Sequence, residues 1–358
     1  MLRRSARNSR RFLATLGVAS AAALLLAGCG GATGNEGTDD ATTEPGASDV
    51  PSVFGAFATP LEEPWDGAIH AALESAEEDG LITYDHTDNL HTADEMERAL
   101  RDIATNQAPD IIIGDAFAAE DAVRAVAKEF PDIAFAFGSG GKEQEPNFSV
   151  IDNWMQDPAY LAGMLAGGLT KSGTIGVVGA MPIPEVNRIV NGFIAGVEET
   201  NPSATVTVSF INSFFDPATA KQAAEAAIAG GADVLFAERD GVIAAAEENN
   251  LPVFGMMVDQ QEQAPQHVVS SLIWDMRPTV DAIVEAVQAG DYTATNLAEY
   301  SFMVNGGSSI APINTETAFE IPADLIEKVE AKQAEILDGS FETPINEEAP
   351  AGSTTIGE

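Results

Sequence analysis

Short apolar runs alternate with amphipathic segments of helical period along most of the chain. The first series predicts strands at residues 53–57, 81–84, 110–113 and 133–137, with helices at 65–77, 92–105 and 118–130. A second series, with helical patterns between its runs, predicts strands at residues 174–178, 205–211, 234–237 and 253–257. Regular alternation of strands with helices is typical of βαβ units in a parallel sheet. The pattern therefore predicts an α/β protein with two doubly wound sheets.

Two further apolar segments are predicted to connect the sheets. Residues 148–153 follow the first series and residues 268–273 follow the second, after which a helix at 277–289 is expected to pack back on the first sheet. These crossings predict a first lobe from residues 51–152 and 274–299, and a second lobe from residues 153–273 and 300–342. Open α/β sheets bind ligands outside the carboxyl ends of their strands. A cleft between the lobes is therefore the expected ligand site.

The two ends of the chain differ from this predicted body. Residues 1–28 combine five arginines, an apolar run at 12–26 and a small-residue end, which is typical of an export signal. Leu26-Ala-Gly-Cys29 matches the lipobox, so Cys29 is predicted to become the acylated amino terminus of a lipoprotein. An arginine pair in the signal leaves the export route, Sec or twin-arginine, open. Residues 29–50 are predicted to be a disordered tether and residues 343–358 a disordered tail, because both are dominated by small, polar and acidic residues.

The charge balance is strongly acidic. The chain has 17 basic and 56 acidic residues, a formal net charge of −39. Five of the basic residues precede Cys29 and no acidic residue does, so removal of the signal leaves a net charge of −44. Nucleic-acid binding needs Lys and Arg to displace phosphate counterions, so this composition argues against it. We interpret the acidic residues as a solvated surface that keeps the protein soluble, with capture of a cationic ligand as the alternative.

The sequence contains no recognised catalytic or metal-binding arrangement. Gly-x-Ser-x-Gly, His-Glu-x-x-His and a complete phosphate loop are absent. The four histidines have no ligand spacing, and Cys29, as the single cysteine, permits neither a disulfide nor a cysteine metal site. We therefore expect a binding protein without catalytic residues, metal or cofactor.

A series of short motifs lies in a fixed order along the predicted strands, helices and loops. They are residues 127–132 (Ala-Lys-Glu-Phe-Pro-Asp), 171–178 (Lys-Ser-Gly-Thr-Ile-Gly-Val-Val), 182–186 (Pro-Ile-Pro-Glu-Val), 192–193 (Gly-Phe), 201–202 (Asn-Pro), 214–217 (Phe-Phe-Asp-Pro) and 231–235 (Gly-Ala-Asp-Val-Leu). Their order and spacing resemble the basic membrane protein family, lipoprotein receptors of ABC transporters that include purine nucleoside receptors and purine-binding proteins. The resemblance covers roughly residues 53–303.

This resemblance implies a type I periplasmic-binding-protein fold, in which a hinge joins two doubly wound lobes with parallel sheets. It also implies a receptor at the extracytoplasmic face of the cell membrane, anchored by lipid on Cys29. Such a receptor closes around a small molecule and delivers it to an ABC permease with its ATPase. A sensory receptor coupled to a signalling partner uses the same cleft, so transport and sensing stay open at this point.

The resemblance also places aromatic side chains at the ligand. Trp65, followed by the polar Asp66, begins the first helix, where the family has an aromatic that stacks on the ligand. Phe214 matches the aromatic before the Asp-Pro of a second family motif, and its neighbour Phe215 is the fallback. Two rings on opposite sides favour a flat heterocycle, because aromatic faces stack with little regard to substituents.

Polar side chains at strand ends are the candidates for reading the edge of such a ring. Asp240 matches a family aspartate that contacts the ligand, and Glu238 and Asn212 are weaker candidates of the same kind. A carboxylate accepts hydrogen bonds from ring N–H and exocyclic NH₂ groups. Asp259 and Glu185 also fall on loops that the resemblance places near the cleft. For Asp240, Asp259 and Glu185, capping of the next helix or loop is the alternative interpretation.

One departure from the family concerns the ligand itself. Nucleoside receptors of the family carry a lysine that helps hold the ribose, and Trp274 stands at that point here. An indole cannot make the bonds of an ammonium group, although it can cover a ring or close an apolar wall. A free nucleobase or similar flat heterocycle is therefore preferred to a nucleoside. Arg188 and Arg239 are the cations near the predicted cleft, so an anionic heterocycle also stays open.

Overall fold

The computed structural model describes residues 50–117, 119–138 and 140–357. The predicted export signal, Cys29 and nearly all of the predicted tether lie outside these residues. Within the described part of the chain, no helix combines the length and apolar character that a membrane span requires.

The strands and helices alternate as the apolar pattern predicts. The strands are β1 Ser52–Ala56, β2 Thr83–Thr87, β3 Ile111–Asp115, β4 Ala134–Gly138, β5 Phe148–Ile151, β6 Thr174–Gly179, β7 Thr205–Phe210, β8 Val234–Ala237, β9 Val253–Gly255, β10 Val268–Trp274, β11 Ser308–Ile310 and β12 Thr354–Thr355. The helices are α1 Pro64–Glu78, α2 Ala93–Asn106, α3 Glu120–Glu129, α4 Gln156–Leu169, α5 Pro184–Thr200, α6 Pro217–Ala229, α7 Val242–Asn249, α8 Arg277–Ala289 and α9 Ala323–Leu337. Short 3₁₀ turns lie at Gln261–Gln263, Ala298–Ser301 and Met303–Asn305.

The first sheet has the strand order β2-β1-β3-β4-β5, and all of its pairs are parallel. Successive side chains of a strand point to opposite faces. Ile111 and Ile113 accordingly pack on the face covered by α1 and α8, whereas Ile112 packs with residues of α2 and α3 on the other. We call this sheet with α1, α2, α3 and α8 lobe 1. Because helices cover both faces, residues 53–56 of β1 and 111–114 of β3 are buried and carry no polar side chain.

The second sheet has the order β11-β10-β9-β8-β6-β7-β12, parallel throughout except for the β10–β11 pair. Helices α6 and α7 cover one face, and α4 and α5 pack closely together on the other. A Cβ atom on Gly196 of α5 would lie only 1.9 Å from the carbonyl oxygen of Tyr160 in α4, so glycine permits this approach. We call this sheet with α4, α5, α6, α7 and α9 lobe 2. The two parallel sheets confirm the predicted α/β class.

The segments predicted as crossings form strands that belong to the two sheets. β5 is the edge strand of the first sheet, and β10 lies inside the second sheet between β9 and β11. An apolar run of four to seven residues has the length and composition of a buried strand. Periodicity alone does not separate such a strand from a segment that crosses between the sheets. The chain passes between the lobes directly after each of these strands. It enters α4 after β5, and it returns to lobe 1 through α8, which packs on α1.

The prediction of a disordered tail is wrong for residues 343–357, the part that the structure describes. Thr354–Thr355 add a parallel strand to β7, and Ile356 N donates to the carbonyl oxygen of Phe210 at 2.8 Å. Upstream in the tail, the Glu347 carboxylate pairs with the Arg188 guanidinium at 3.1 Å. These contacts use backbone groups and charges rather than large apolar side chains, so composition did not reveal them.

Candidate functional site

A cavity of about 540 Å³ lies where the carboxyl ends of strands from both lobes meet. From lobe 1 it is lined by residues that include Thr59, Glu63, Trp65, His91, Asp115 and Phe117. From lobe 2 it is lined by Met181, Glu185, Asn212, Ser213, Phe214 and Phe215. This is the position at which open α/β sheets bind their ligands. A molecule in this cavity would touch both lobes at once.

Trp65 forms one wall of the cavity from the first turn of α1. Pro64 occupies the start of the helix, and Glu63 is its N-cap, with Oε2 accepting from the backbone N–H of Trp65 at 2.9 Å and of Asp66 at 3.1 Å. The cap fixes the direction in which the helix presents Trp65. The indole is 7% exposed, and its Nε1–H has no hydrogen-bond partner among the described residues.

Trp274 lies behind Trp65 rather than in the cavity wall. The two ring centroids are 4.9 Å apart, with their planes tilted by 43°. Its Nε1–H donates to Ser301 Oγ at 2.9 Å, so the polar atom of this indole is already paired. Trp274 therefore backs the wall that Trp65 forms.

Phe214 and Phe215 approach the cavity from lobe 2. The Phe214 ring is half-buried and meets Phe117 of lobe 1 edge-on, with centroids 4.8 Å apart. Phe215 is 44% exposed and lies at the rim. Both follow Asn212, which adopts a left-handed conformation with φ of 57° and turns the chain out of β7 toward the cleft. Phe117, which sequence reasoning missed, makes the aromatic lining a group of rings from both lobes.

Asp66 is buried next to Trp65 in the first turn of α1, close enough to Asp115 for the two charges to interact. Its Oδ2 accepts from Thr59 N at 2.9 Å and Thr59 Oγ1 at 2.6 Å, while its Oδ1 is buried and has no partner among the described residues. Burial is the main cause that raises the pKa of Asp66, and the neighbouring Asp115 raises it further. Asp115 itself lines the cavity, a placement that sequence reasoning missed. Its position at the carboxyl end of β3 could have identified it, because the other candidates were chosen for positions at the ends of strands.

Glu185 reaches the cavity from the first turn of α5. Ile183 occupies the N-cap position of that helix, so Glu185 lies inside the helix and does not cap it. Its side chain is almost fully buried, and burial, with a smaller contribution from Asp152, raises its pKa to about 8. The carboxyl group is therefore mostly protonated at neutral pH and offers an O–H donor as well as an acceptor.

Glu238, Arg239 and Asp240 follow β8 and form a charged cluster beside Phe214. Arg239 pairs with Glu238 at 3.0 Å and with Glu63 of lobe 1 at 3.3 Å. Gly241 occupies the N-cap position of α7, and Asp240 Oδ1 instead accepts from Gln260 Nε2 at 3.4 Å. Burial raises the pKa of both Glu238 and Asp240, whereas Arg239 lowers it. Glu238 and Asp240 line a smaller cavity next to Phe214 rather than the large one.

Asp259 and Arg188 lie away from the cavity. Asp259 is exposed on the loop after β9, where its Oδ1 accepts from Gln261 N at 3.0 Å, as the capping interpretation predicts. Arg188 is buried near the hinge, where it pairs with Asp152 and Glu347 and stacks over Trp154. The guanidinium groups of Arg188 and Arg239 are thus both already paired with carboxylates. Among the described residues, no group of three His, Cys, Asp or Glu side chains is arranged to hold a metal ion.

Comparison with known proteins gives a consistent family match. Residues 62–300 match the family described as ABC transporter substrate-binding protein PnrA-like. A putative ABC transporter glucose-binding protein of Haloferax volcanii is 30% identical over 282 residues, which cover 78% of this chain and 70% of that protein. A purine-binding protein of Brucella abortus is 28% identical over 256 residues, 71% of each chain.

A solved structure supports the fold. An ABC transporter solute-binding protein from Conexibacter woesei superimposes with a TM-score of 0.67 at 24% identity, over 82% of this chain and 99% of that one. A similarity at 24% identity shows a shared fold. Together with the two parallel sheets, it confirms the predicted type I periplasmic-binding-protein fold.

Proposed function

Because the chain belongs to the family of PnrA-like ABC transporter substrate-binding proteins, we propose that it binds a purine nucleobase or a similar flat heterocycle in the cavity between its lobes. Membership of the family implies an extracytoplasmic protein that takes up a small molecule and works with a permease and its ATPase. The class of ligand is a more specific proposal than this family role. The observation that carries it is the set of aromatic rings, Trp65 and Phe117 from lobe 1 and Phe214 from lobe 2, around one cavity.

The carboxyl groups of the cavity support the same ligand. Asp115 and Glu185 line it, and each can accept hydrogen bonds from N–H groups of a nucleobase edge. Both oxygens of Glu63 are already engaged, by the Trp65 and Asp66 amides and by Arg239. Glu185, when protonated, also donates to a ring nitrogen or a carbonyl oxygen. Because the guanidinium groups of Arg188 and Arg239 are already paired with carboxylates, they attract an anionic ligand only weakly. A neutral heterocycle with several N–H donors therefore fits these groups better than an anionic one.

Binding would act by closure and not by covalent chemistry. A ligand that touches Trp65 and Phe214 together interacts more strongly with the closed arrangement than with an open one. It thus shifts the population toward the closed state, in which water is excluded from the ring faces. The closed state is then the form that a permease would recognise.

A sugar is the second candidate ligand. The Haloferax volcanii relative is described as putatively glucose-binding, and carboxylates such as Asp115 accept from sugar hydroxyl groups as readily as from N–H groups. A nucleoside is a further alternative, which the replacement of the family lysine by Trp274 disfavours. The aromatic rings from both lobes favour the nucleobase.

A thermal-shift screen tests the ligand class. The screen compares nucleobases, nucleosides, sugars and amino acids. A ligand that binds only the native state raises the melting temperature, and the rise grows with the ratio of ligand concentration to dissociation constant. We expect the largest shift with adenine, guanine, hypoxanthine or xanthine, and smaller shifts with the matching nucleosides. A larger shift with nucleosides or with glucose would replace the nucleobase proposal by the corresponding alternative.

Lipid attachment at Cys29 completes the proposed function. A lipid on this residue would anchor the protein at the extracytoplasmic face of the membrane, with residues 30–50 as the tether. Metabolic labelling with a fatty acid tests the attachment, because Cys29→Ala removes the only thiol of the chain. Equal labelling of the wild type and this variant would contradict the proposal.

A further inference from the structure

Arg239 extends from lobe 2 to lobe 1 inside the cleft. Its Nη2 and Nε donate to the Glu238 carboxylate at 3.0 and 3.1 Å, within its own lobe. Its Nη1 forms an ion pair with Glu63 Oε1 of lobe 1 at 3.3 Å. All three side chains are buried. A buried ion pair thus spans the gap that the lobes must open and close.

The same guanidinium contacts both segments that carry the aromatic walls. Nη1 also donates to the backbone carbonyl oxygen of Phe214 at 3.0 Å, and the guanidinium lies 5.6 Å from the centre of the Phe214 ring. On the other side, Glu63 holds the N-terminus of α1 through the backbone N–H of Trp65. One positive charge therefore connects the backbone of the Trp65 turn to the backbone of the Phe214 loop.

We propose that Arg239 is a positioning residue that holds the two lobes together through Glu63 before a ligand arrives. It thereby sets the spacing of Trp65 and Phe214. The first part of this inference concerns the protein alone. The second part rests on the proposed function, because it assumes that a ligand ring occupies the cavity between these walls.

The charge arrangement gives the physical reason. Glu63 and Glu238 lie on opposite lobes, and burial raises the pKa of both while Arg239 lowers it. Without the guanidinium, two buried acidic groups would face each other across the cleft, and separation of the lobes would rehydrate them. Loss of one partner of a buried ion pair leaves an uncompensated charge, which is far less favourable than the intact pair.

Glu63→Gln is the most selective variant. The glutamine carbonyl still accepts from the Trp65 and Asp66 amides, so the cap of α1 stays, while Arg239 keeps Glu238 as its counter-charge within lobe 2. The charge pair between the lobes is lost, and the glutamine Nε2, in the place of Oε1, turns a donor toward the Arg239 guanidinium. Arg239→Met is the stronger variant, since it leaves both acids without a cation. Lys221→Met is the matched control, because Lys221 pairs with Glu248 at 2.7 Å on the surface of lobe 2 alone.

Small-angle X-ray scattering of the purified protein without ligand measures closure directly. We expect a larger radius of gyration for Glu63→Gln than for the wild type, a still larger one for Arg239→Met, and no change for Lys221→Met. Tryptophan emission provides a second readout, because the Trp65–Trp274 contact lies between the lobes. Unchanged scattering and emission in Glu63→Gln and Arg239→Met, with both variants folded, would overturn the inference even if their melting temperatures fell.

Calorimetric titration with adenine tests the effect on binding. If closed molecules fall to about a tenth of the population, the apparent dissociation constant rises about tenfold, since only the closed fraction is competent. Unaltered adenine affinity in expanded variants would overturn the role in ring spacing. If the wild type does not bind adenine, the proposed function is contradicted. The scattering comparison would still decide whether Arg239 holds the lobes together.

Discussion

Trp65 and Phe214 are the residues on which the proposed ligand class depends. Replacement of either by alanine removes one stacking face while the polar groups of the cavity stay in place. We expect Trp65→Ala and Phe214→Ala each to weaken nucleobase binding by about 1–3 kcal/mol, the usual range for stacking of a base on an aromatic ring. Calorimetric titration with the best nucleobase measures the change.

Phe341→Ala is the control for this pair. Phe341 is a half-buried ring that packs on Tyr160 in lobe 2, outside the residues that line the cavity. Its loss should lower the melting temperature without altering the dissociation constant. Wild-type affinity in both cavity variants, each still folded, would remove stacking from the proposed function.

Glu185 makes stability depend on pH. Burial raises its pKa to about 8, whereas an unperturbed glutamate titrates near 4.5. Between these values the unfolded chain has lost the proton that the folded protein retains, so the free energy of unfolding falls as pH rises through this window. Glu185→Gln removes the penalty and should gain stability relative to the wild type between about pH 5 and about pH 8, with a slope of at most about 1.4 kcal/mol per pH unit.

Urea unfolding followed by circular dichroism measures this difference at both ends of the window. Glu198→Gln is the matched control, because Glu198 is an exposed residue of the same helix. It should show the pH dependence of the wild type. A Glu185→Gln variant that also parallels the wild type would mean that the buried carboxyl group is not protonated in the folded protein.

At the scale of elements, the carboxyl-terminal tail is the segment whose structure composition did not predict. Deletion of residues 344–358 removes β12 and the Glu347 partner of the buried Arg188. Each lost hydrogen bond contributes about 0.5–1.5 kcal/mol, so we expect the free energy of unfolding to fall by about 2–4 kcal/mol. Chemical denaturation measures the loss, and Ile345→Ala, at an exposed tail residue, is the control that should leave it unchanged.

Hydrogen exchange tests the same element in the wild type. The amide of Ile356 donates to the Phe210 carbonyl, so it should exchange more slowly than an unstructured amide. Exchange at the unstructured rate along residues 346–356 would show that β12 does not form in solution.

At the scale of the whole molecule, the net charge of −39 means that repulsion between like charges destabilises the compact state. Salt shortens the screening length from about 10 Å at 0.1 M to about 3 Å at 1 M, which weakens this repulsion. We expect the melting temperature to rise with NaCl over this range, and to rise equally with KCl at the same ionic strength. A flat or falling melting temperature would contradict a destabilising role of the acidic surface.

The order of strands and helices was predictable because their periodicities are local properties of the sequence. β8 and α8 lie at the residues that the apolar pattern predicts, and most other elements differ by a few residues at their ends. The family was predictable for the same reason, since each of its motifs is a short, local stretch of sequence. The carboxyl ends of strands also indicated where Trp65, Phe214 and Glu185 would meet.

The sequence by itself thus determined the α/β class, the two sheets, the family and most of the loops around the cleft. Only the tertiary structure decided that Glu63, Asp115 and Phe117 join the site, that Trp274 backs Trp65, and that the tail adds a strand to β7. It also decided that Arg239 pairs with Glu63 across the cleft. The physical reason is that these contacts join residues distant in sequence, so they depend on strand order and lobe closure, which no local pattern encodes.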